Sequence, residues 1–249
     1  MSKTYIAEAM LKTSKADEQY LDHCFFLGSR AANCMVKEAN RRLNAYRRDR
    51  AVKDIFKRQR AKGYKLTAKE KDILKDKREQ YGLSEYAFQK YLKVYGYSVS
   101  EYLDSNTVQK IATRVWQGME TILFGKGKHL HFKKYDQFLS MEGKTNKQGI
   151  RCKDGCLVWK KLRVPIRIRG KDTWFQMALL DRVKYCRIVR KWHNTHFRYY
   201  LQLVLEGTPP TKSGRTALNA IVGLDLGVST VAAVSRYGAI FQELGDGGR

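Results

Sequence analysis

The sequence predicts an α+β protein in which a helical lobe is inserted into an antiparallel β-barrel, with the first strands of a further domain after it. Three observations carry this. Apolar residues recur at helical spacing from about residue 16 to residue 125, and the period shifts toward two after about residue 130. Ahead of the first helix, Tyr5-Ile6-Ala7-Glu8-Ala9-Met10-Leu11 alternates like a strand. A lone N-terminal strand must pair with something, and the strands beyond residue 150 are its available partners. The organisation that follows is a first barrel strand in 1–14, a helical lobe in 15–127, the rest of the barrel in 128–207, a linker in 208–219 and the opening strands of another domain in 220–249.

Each helix has its own signal. Ser14-Lys15-Ala16-Asp17 can cap a helix whose apolar stripe runs Tyr20, Cys24, Leu27, Ala31, Cys34, Met35, Ala39, Leu43 and Tyr46, mostly three and four residues apart. Thr67-Ala68-Lys69-Glu70 is a capping box that opens a short, highly charged helix. A Tyr-rich helix runs from about Ser84 to Tyr95, with Gly96 as its end. The clearest is the last, where Val108, Ile111, Ala112, Val115, Trp116, Met119, Ile122 and Leu123 line one face and Gly125 closes it.

Beyond residue 130, Cys156–Trp159, Arg163–Arg169, Trp174–Leu180, Val183–Arg190 and Phe197–Glu206 read as short strands. Arg163-Val164-Pro165-Ile166-Arg167-Ile168-Arg169 alternates cation with apolar residue, so one face of that strand is core and the other cationic. Pro209-Pro210 and the Thr, Ser and Gly around them mark the linker. A hairpin follows, Ile221 to Leu226 and then Thr230 to Val234, turned by Gly227.

Charge narrows the function. Lys and Arg number 49 against 24 acids, a formal net charge of +25. That excess favours polyanionic partners, above all nucleic acid. No apolar stretch of about 18 residues is present to span a bilayer, and no apolar h-region follows Met1. Five cysteines at irregular spacing fit reduced thiols in a cytoplasmic protein better than a disulfide framework. The cations concentrate twice. Residues 41–78 hold 16 Lys and Arg against 5 acids, and residues 160–198 hold 12 against 2, interleaved with Trp159, Trp174, Trp192, Tyr199 and Tyr200. Strand cations with aromatics alongside suit backbone phosphates plus base stacking. The candidate contacts are Arg41, Arg42, Arg47 and Arg48 on helices, Lys133, Lys134 and Lys147 beyond them, and Lys160, Lys161, Arg163, Arg167, Arg169, Arg190 and Trp192 on strands and turns.

Other features carry less. Cys152-Lys153-Asp154-Gly155-Cys156 lacks the second ligand pair a zinc site needs, so no zinc is expected. His129 and His131 alternate along an expected strand and belong to a basic surface. Gly125-Lys126-Gly127-Lys128 has neither the spacing nor the Ser/Thr of a nucleotide-binding loop. Asp225 stands apart: an ionised carboxylate in a buried strand is costly unless it is paired or holds a metal, which makes it the candidate catalytic and metal-binding acid.

The order of parts resembles the TnpB (OrfB) family, the transposon-encoded RNA-guided nucleases related to type V CRISPR effectors. Val108-Gln109-Lys110-Ile111-Ala112-Thr113-Arg114-Val115-Trp116-Gln117 resembles the family's last recognition-lobe helix. His131-Phe132-Lys133-Lys134-Tyr135 through Glu142-Gly143-Lys144-Thr145-Asn146-Lys147-Gln148-Gly149-Ile150 is similar to its re-entry into the wedge barrel. Gly223-Leu224-Asp225-Leu226-Gly227-Val228 resembles its first RuvC motif, in a domain of RNase H-like fold. The resemblance implies a guide RNA and target DNA as partners, and Mg²⁺ at an intact RuvC site with Asp225 as one ligand.

The departure from the family is at the C-terminus. A RuvC site also needs a Glu from a second motif and an Asp from a third, usually with a zinc ribbon between them. Glu243 and Asp246 lie too soon after the hairpin to match either. Two metal ions need several carboxylates, which Asp225 alone does not supply. The expectation is a chain truncated after the first RuvC motif that binds nucleic acid without cutting it, as part of an RNA-guided DNA endonuclease. One alternative is an RNA-guided, non-catalytic DNA-binding repressor derived from the nuclease. Another is an ATP-binding protein of the actin and sugar-kinase superfamily, which a Gly-Leu-Asp-Leu-Gly hairpin also opens.

Overall fold

Ser14, three residues beyond the end of the first strand at Leu11, starts the first helix. Its hydroxyl accepts a hydrogen bond from the Asp17 amide (3.2 Å), and the Asp17 carboxylate accepts from the Ser14 amide (2.9 Å). That capping box opens α1, Lys15–Arg48, whose 34 residues span about 51 Å at the α-helical rise. The structure is a computed structural model, and it describes residues 3–63, 65–125, 127, 129–210, 222–226, 230–235 and 238–243. The chain divides into two units, Met1–Pro209 and Pro210–Arg249.

In the first unit, α1 stops where Asp49 turns extended (φ −58°, ψ 132°), and the Asp49 carboxylate then caps α2, Arg50–Lys62, through the Ala51 and Val52 amides. The same carboxylate takes Lys77 (2.9 Å) of α3, Ala68–Gln80, and the hydroxyl of Tyr81 (3.0 Å) just past its end, so one acid fastens three helices. Thr67 and Glu70 form the capping box of α3 as expected. The Tyr-rich helix α4 is Glu85–Ser98, and it runs through Gly96 rather than ending there. Gly96 packs on α5, Ser105–Leu123, where a Cβ would meet Val108 at 3.4 Å, an ordinary van der Waals contact.

The strands of the unit are β1 (Thr4–Leu11), β2 (Ser140–Glu142), β3 (Arg151–Lys153), β4 (Cys156–Trp159), β5 (Leu162–Arg167), β6 (Val183–His193) and β7 (His196–Glu206). They form one curled antiparallel sheet in the order β2-β6-β7-β1-β5-β4-β3. β1 pairs with β7 from Thr4↔Glu206 to Met10↔Tyr200 and with β5 at Met10↔Arg167 and Leu11↔Ile166. The helices α1 to α5 therefore leave the sheet after β1 and return to it at β2. Between β6 and β3 a side chain stands in for a ladder. Asn146 donates its amide to Lys184 O (3.1 Å), while its carboxamide accepts from Cys152 N (2.8 Å) and donates to Cys152 O (3.2 Å). A carboxamide carries the same donor and acceptor as a peptide group, so it can make both bonds.

Period-two burial builds the core. Ala7, Ala9 and Leu11 of β1, Leu162, Val164 and Ile166 of β5, and Leu201, Leu203 and Leu205 of β7 face inward with Leu21, Phe25 and Met35 of α1. Gly28 lets α1 approach: a Cβ there would lie 2.9 Å from the Phe138 ring. Two segments differ from their expected form. Trp174–Leu180 is not a strand; Thr173–Ala178 forms the helix α6, capped by Asp172 through the Phe175 amide (3.0 Å), because Phe175 and Ala178, three apart, are the residues it buries. The stretch holding His129 and His131 is not a strand either. Its backbone at Lys133 finds its partner in the Asn33 carboxamide, donating to Oδ1 (3.0 Å) and accepting from Nδ2 (2.8 Å), and both histidines are exposed.

The second unit contains β8 (Val222–Leu226), β9 (Thr230–Ser235) and β10 (Gly238–Glu243) in an antiparallel meander, with Asp225 opposite Ala232. Where the sequence predicts a buried strand, Leu224 is 69% exposed and Asp225 is exposed, so desolvation does not single this acid out. The Gly227 turn, linker residues 211–219, Lys126, Lys128 and Asp246 lie outside the described residues. Among the described residues no helix is long and apolar enough to cross a membrane.

Candidate nucleic-acid interface

The alternation along β5 sorts its side chains cleanly, with Leu162, Val164 and Ile166 buried and Arg163, Pro165 and Arg167 exposed. Arg163 lies 3.4 Å from Asp154, both largely exposed, a geometry that contributes little. Among the described residues Arg167 makes no ion pair, and Arg169 stands exposed beyond the strand end. At the β4–β5 turn, Lys160 donates to the Ser100 carbonyl and Lys161 to Glu101 (2.7 Å), tying the turn to the helical segment. Trp159, beside them, is core: its indole N–H donates to Asp104 (2.7 Å), the residue that also caps α5. Lys147 is exposed on the loop that carries Asn146.

Two of the expected contacts are internal cations instead. Arg190 is fully buried. Its guanidinium lies over Tyr135 (4.0 Å), Phe197 (4.2 Å) and Phe25 (4.8 Å), donates to the carbonyls of Tyr135 and Phe138, and stands 3.7 Å from Asp22. Position 190 falls in the inward register of β6 with Cys186 and Ile188, so its side chain has no route to a phosphate. Arg42 is likewise held, by Glu38 (2.7 Å) and the Gly82 carbonyl (2.8 Å), over the rings of Phe88 and Tyr91. Glu38 takes Arg41 as well, and hydrogen bonding from Arg41 first, then from Arg42, drops its carboxyl to about 2 against the pull of burial.

Arg190 has a surface consequence. Phe197 stacks edge-on against Trp192 (4.9 Å), and Tyr135 packs on Phe26 (6.1 Å), which carries Arg30 over its ring (5.7 Å). Trp192 is 62% exposed, Phe132 58% and Phe26 43%. The exposed Lys133 and Lys134 precede Tyr135, so a row of aromatic faces and cations is anchored from below on one buried guanidinium. Sequence reasoning picked out Trp192, Lys133 and Lys134 but missed Phe26 and Phe132, whose spacing follows neither the helical stripe nor a strand alternation.

On the helices, Arg47 and Arg48 are exposed in the last turn of α1. Arg47 borders a cleft of about 1190 Å³ with Lys53, Lys57 and Arg60 of α2. Its apolar lining includes Phe56 and Leu123. The spacing of Lys53, Lys57 and Arg60 on one helical face was the available signal for this rim.

Three of the thiols are held away from the reactive thiolate form. Burial pushes Cys24 and Cys186 up to about 12 and Cys152 to about 11, and all five cysteines are free. Burial and the bond to Asp22 raise the Tyr199 hydroxyl far above its ordinary range, which keeps it a donor. Among the described residues no three His, Cys, Asp or Glu side chains gather where they could hold a metal. Asp225 alone does not fit a Mg²⁺ site of the RuvC kind, which needs several carboxylates.

No family model matches the chain, and no curated protein matches it. Among solved structures, a cryo-EM structure of a CRISPR-Cas12f ternary complex aligns with a TM-score of 0.39 and 11% identity over 91% of this chain and 48% of that one. A Cas12f1-sgRNA-target DNA complex aligns with a TM-score of 0.31 and 11% identity over 98% and 66%. The chain spans about half the length of the first and 66% of the second.

Proposed function

We propose that this chain is the nucleic-acid-binding part of a TnpB-like RNA-guided DNA endonuclease, taking a guide RNA and target DNA as partners. The observation that carries the reading is β5, where an all-apolar inner face is matched by arginines on the outer one in a chain of net charge +25. Exposed aromatics at Trp192, Phe132 and Phe26 add stacking surfaces, which phosphate binding alone does not call for. The family assignment rests on the three sequence stretches and on the return of the helical segment to the sheet that β1 begins. In this reading the protein holds an RNA–DNA duplex by shape and backbone, and base pairing supplies sequence. The described residues contribute binding; Asp225 is proposed as one ligand of a metal site whose other acids they do not supply.

The test is to purify the chain and sequence the nucleic acid that accompanies it. A discrete structured RNA supports the reading, and random cellular RNA reduces it to generic polyanion binding. Asp225→Ala leaves that RNA and its affinity unchanged.

A further inference from the structure

Where β1 gives way to α1, a cleft of about 620 Å³ opens beside β5 and the β6–β7 hairpin. Lys12, Arg167, His196 and Arg198 line it with Thr13, Glu18 and Tyr199. Three elements bring the cations together. Arg167 sits opposite Met10 on the β1–β5 ladder, Lys12 continues that rung through its amide bond to Pro165 O (2.8 Å), and His196 and Arg198 open β7.

The pairing state of these groups sets them apart. Several cations elsewhere on or beside the sheet have acids: Lys191 with Glu8, Arg187 with Glu142 (2.8 Å), Arg163 with Asp154 and Arg182 with Glu206 (3.2 Å). Lys12, Arg167 and Arg198 have none among the described residues, although Arg198 faces Lys191 across the ladder. The one carboxylate in the cleft, Glu18, accepts from the Thr13 hydroxyl (2.8 Å), and a single acid does not balance three fixed cations. Like charges gathered without a counter-ion repel, and an anion seated between them removes that cost. Two guanidiniums present planar forks suited to phosphate oxygens. The volume exceeds what a bare phosphate fills and falls in the range of sites that take a nucleotide-sized group.

We propose that this cleft binds one phosphate of a nucleic-acid strand, with Arg167 and Arg198 sharing it and Lys12 and His196 flanking it. This rests on the nucleic-acid reading above and adds a discrete seat to it, formed by the sheet and the start of α1. Of the four residues only Arg167 was legible as a contact in the sequence.

The experiment measures binding of a short single-stranded RNA, with and without a 5′-phosphate, by fluorescence anisotropy over a salt series. The proteins are the wild-type chain, R167Q, R198Q and the double variant, with circular dichroism and melting to establish that each folds. A shared phosphate predicts that either single change weakens binding about tenfold and that the double variant lowers the log–log salt slope by about 0.7 in total, the value of one single-strand phosphate. A slope decrease near 1.4, twice that value, would mean two independent surface sites and overturn the seat. An unchanged affinity in the double variant overturns it as well, and leaves the nucleic-acid reading intact. Absence of any salt-dependent RNA binding by the wild-type chain removes both. If the tenfold weakening occurs only with the 5′-phosphorylated RNA, the phosphate seated is the terminal one; an equal weakening with both RNAs makes it internal.

Discussion

The two cation-rich stretches, 41–78 and 160–198, read almost alike in composition and differ in what they do with their charge. In and beside the helical stretch several cations are taken by acids: Glu38, just before it, takes Arg41 and Arg42, Asp49 takes Lys77, and Glu70 takes Arg58 (3.4 Å). In the strand stretch a period of two sends alternate residues to opposite faces. Arg190 goes wholly inside, while Arg163, Arg167 and Arg169 go wholly outside. A count of Lys and Arg does not separate buried cations from exposed ones; on the strands, the period on which they fall does.

The sharpest test of that contrast is Arg190→Gln. It empties a cation position between three aromatic rings and leaves the Tyr135 and Phe138 carbonyls and Asp22 without the guanidinium they share. Leaving a buried acceptor without its donor costs roughly 1–3 kcal/mol, and urea unfolding should show a decrease in that range. The salt slope of RNA binding should not move at temperatures where the variant is folded. A slope that falls with Arg190→Gln would place this guanidinium at the interface after all.

The opposite behaviour is expected of R163Q/R167Q/R169Q. Its melting temperature should stay within a degree or two of the wild type, because exposed positions contribute little to folding. Its RNA affinity should fall, and the slope should drop by about 0.7 for each phosphate of a single strand that is no longer neutralised. If both affinity and slope hold, the outer face of β5 is merely solvated, and the rim formed by Arg47, Lys53, Lys57 and Arg60 becomes the better surface.

Trp192→Ala separates stacking from charge. The ring is exposed at the hairpin tip and rests on Phe197, so its removal should weaken single-stranded RNA binding by roughly 1–3 kcal/mol with the salt slope unchanged. Equal weakening of a blunt duplex, whose bases are not available to stack, would argue against base contact.

Much of the architecture was legible in the sequence because local signals agreed with tertiary need. The capping boxes at Ser14 and Thr67 hold, the strand Cys156–Trp159 has the expected bounds, and β1 pairs with the late strands. The failures have physical causes. Gly96 is a terminator by local rules, yet α4 continues through it to Ser98 while packed on α5, a relation between two elements that no local rule reads. Trp174–Leu180 alternates well enough for a strand, yet Asp172 caps it as a helix and Phe175 and Ala178 pack at helical spacing. At the site, exposure was legible for β5, whereas Arg190, in the inward register of Cys186 and Ile188, and Arg42, held by Glu38, read as surface cations because an unpaired cation is expected outside. The cleft of Lys12, His196 and Arg198 was invisible because its members come from strands that meet only in the fold.

The smallest expected effect concerns Glu38, and it probes the helical side of the comparison through pH. Its carboxyl is lowered from an ordinary 4.5 to about 2, through hydrogen bonds from Arg41 and Arg42. A folded value below the unfolded one means that the native state binds this proton less readily. The stabilisation is therefore complete above about pH 4.5 and disappears as pH falls toward 2. The amount is on the order of 1–2 kcal/mol, because Arg41 is well exposed and solvent screens its share. Glu38→Gln should be less stable than the wild type at pH 6, and the gap should close between pH 4.5 and 2 as the wild-type acid takes up its proton. Chemical unfolding across that range reads the difference directly. If the gap is the same at every pH, Glu38 acts by packing alone and the helical cations are not organised around it. If it closes as expected, Arg42 is fixed by an internal acid and unavailable to a phosphate, whereas Arg167 has no such anchor among the described residues.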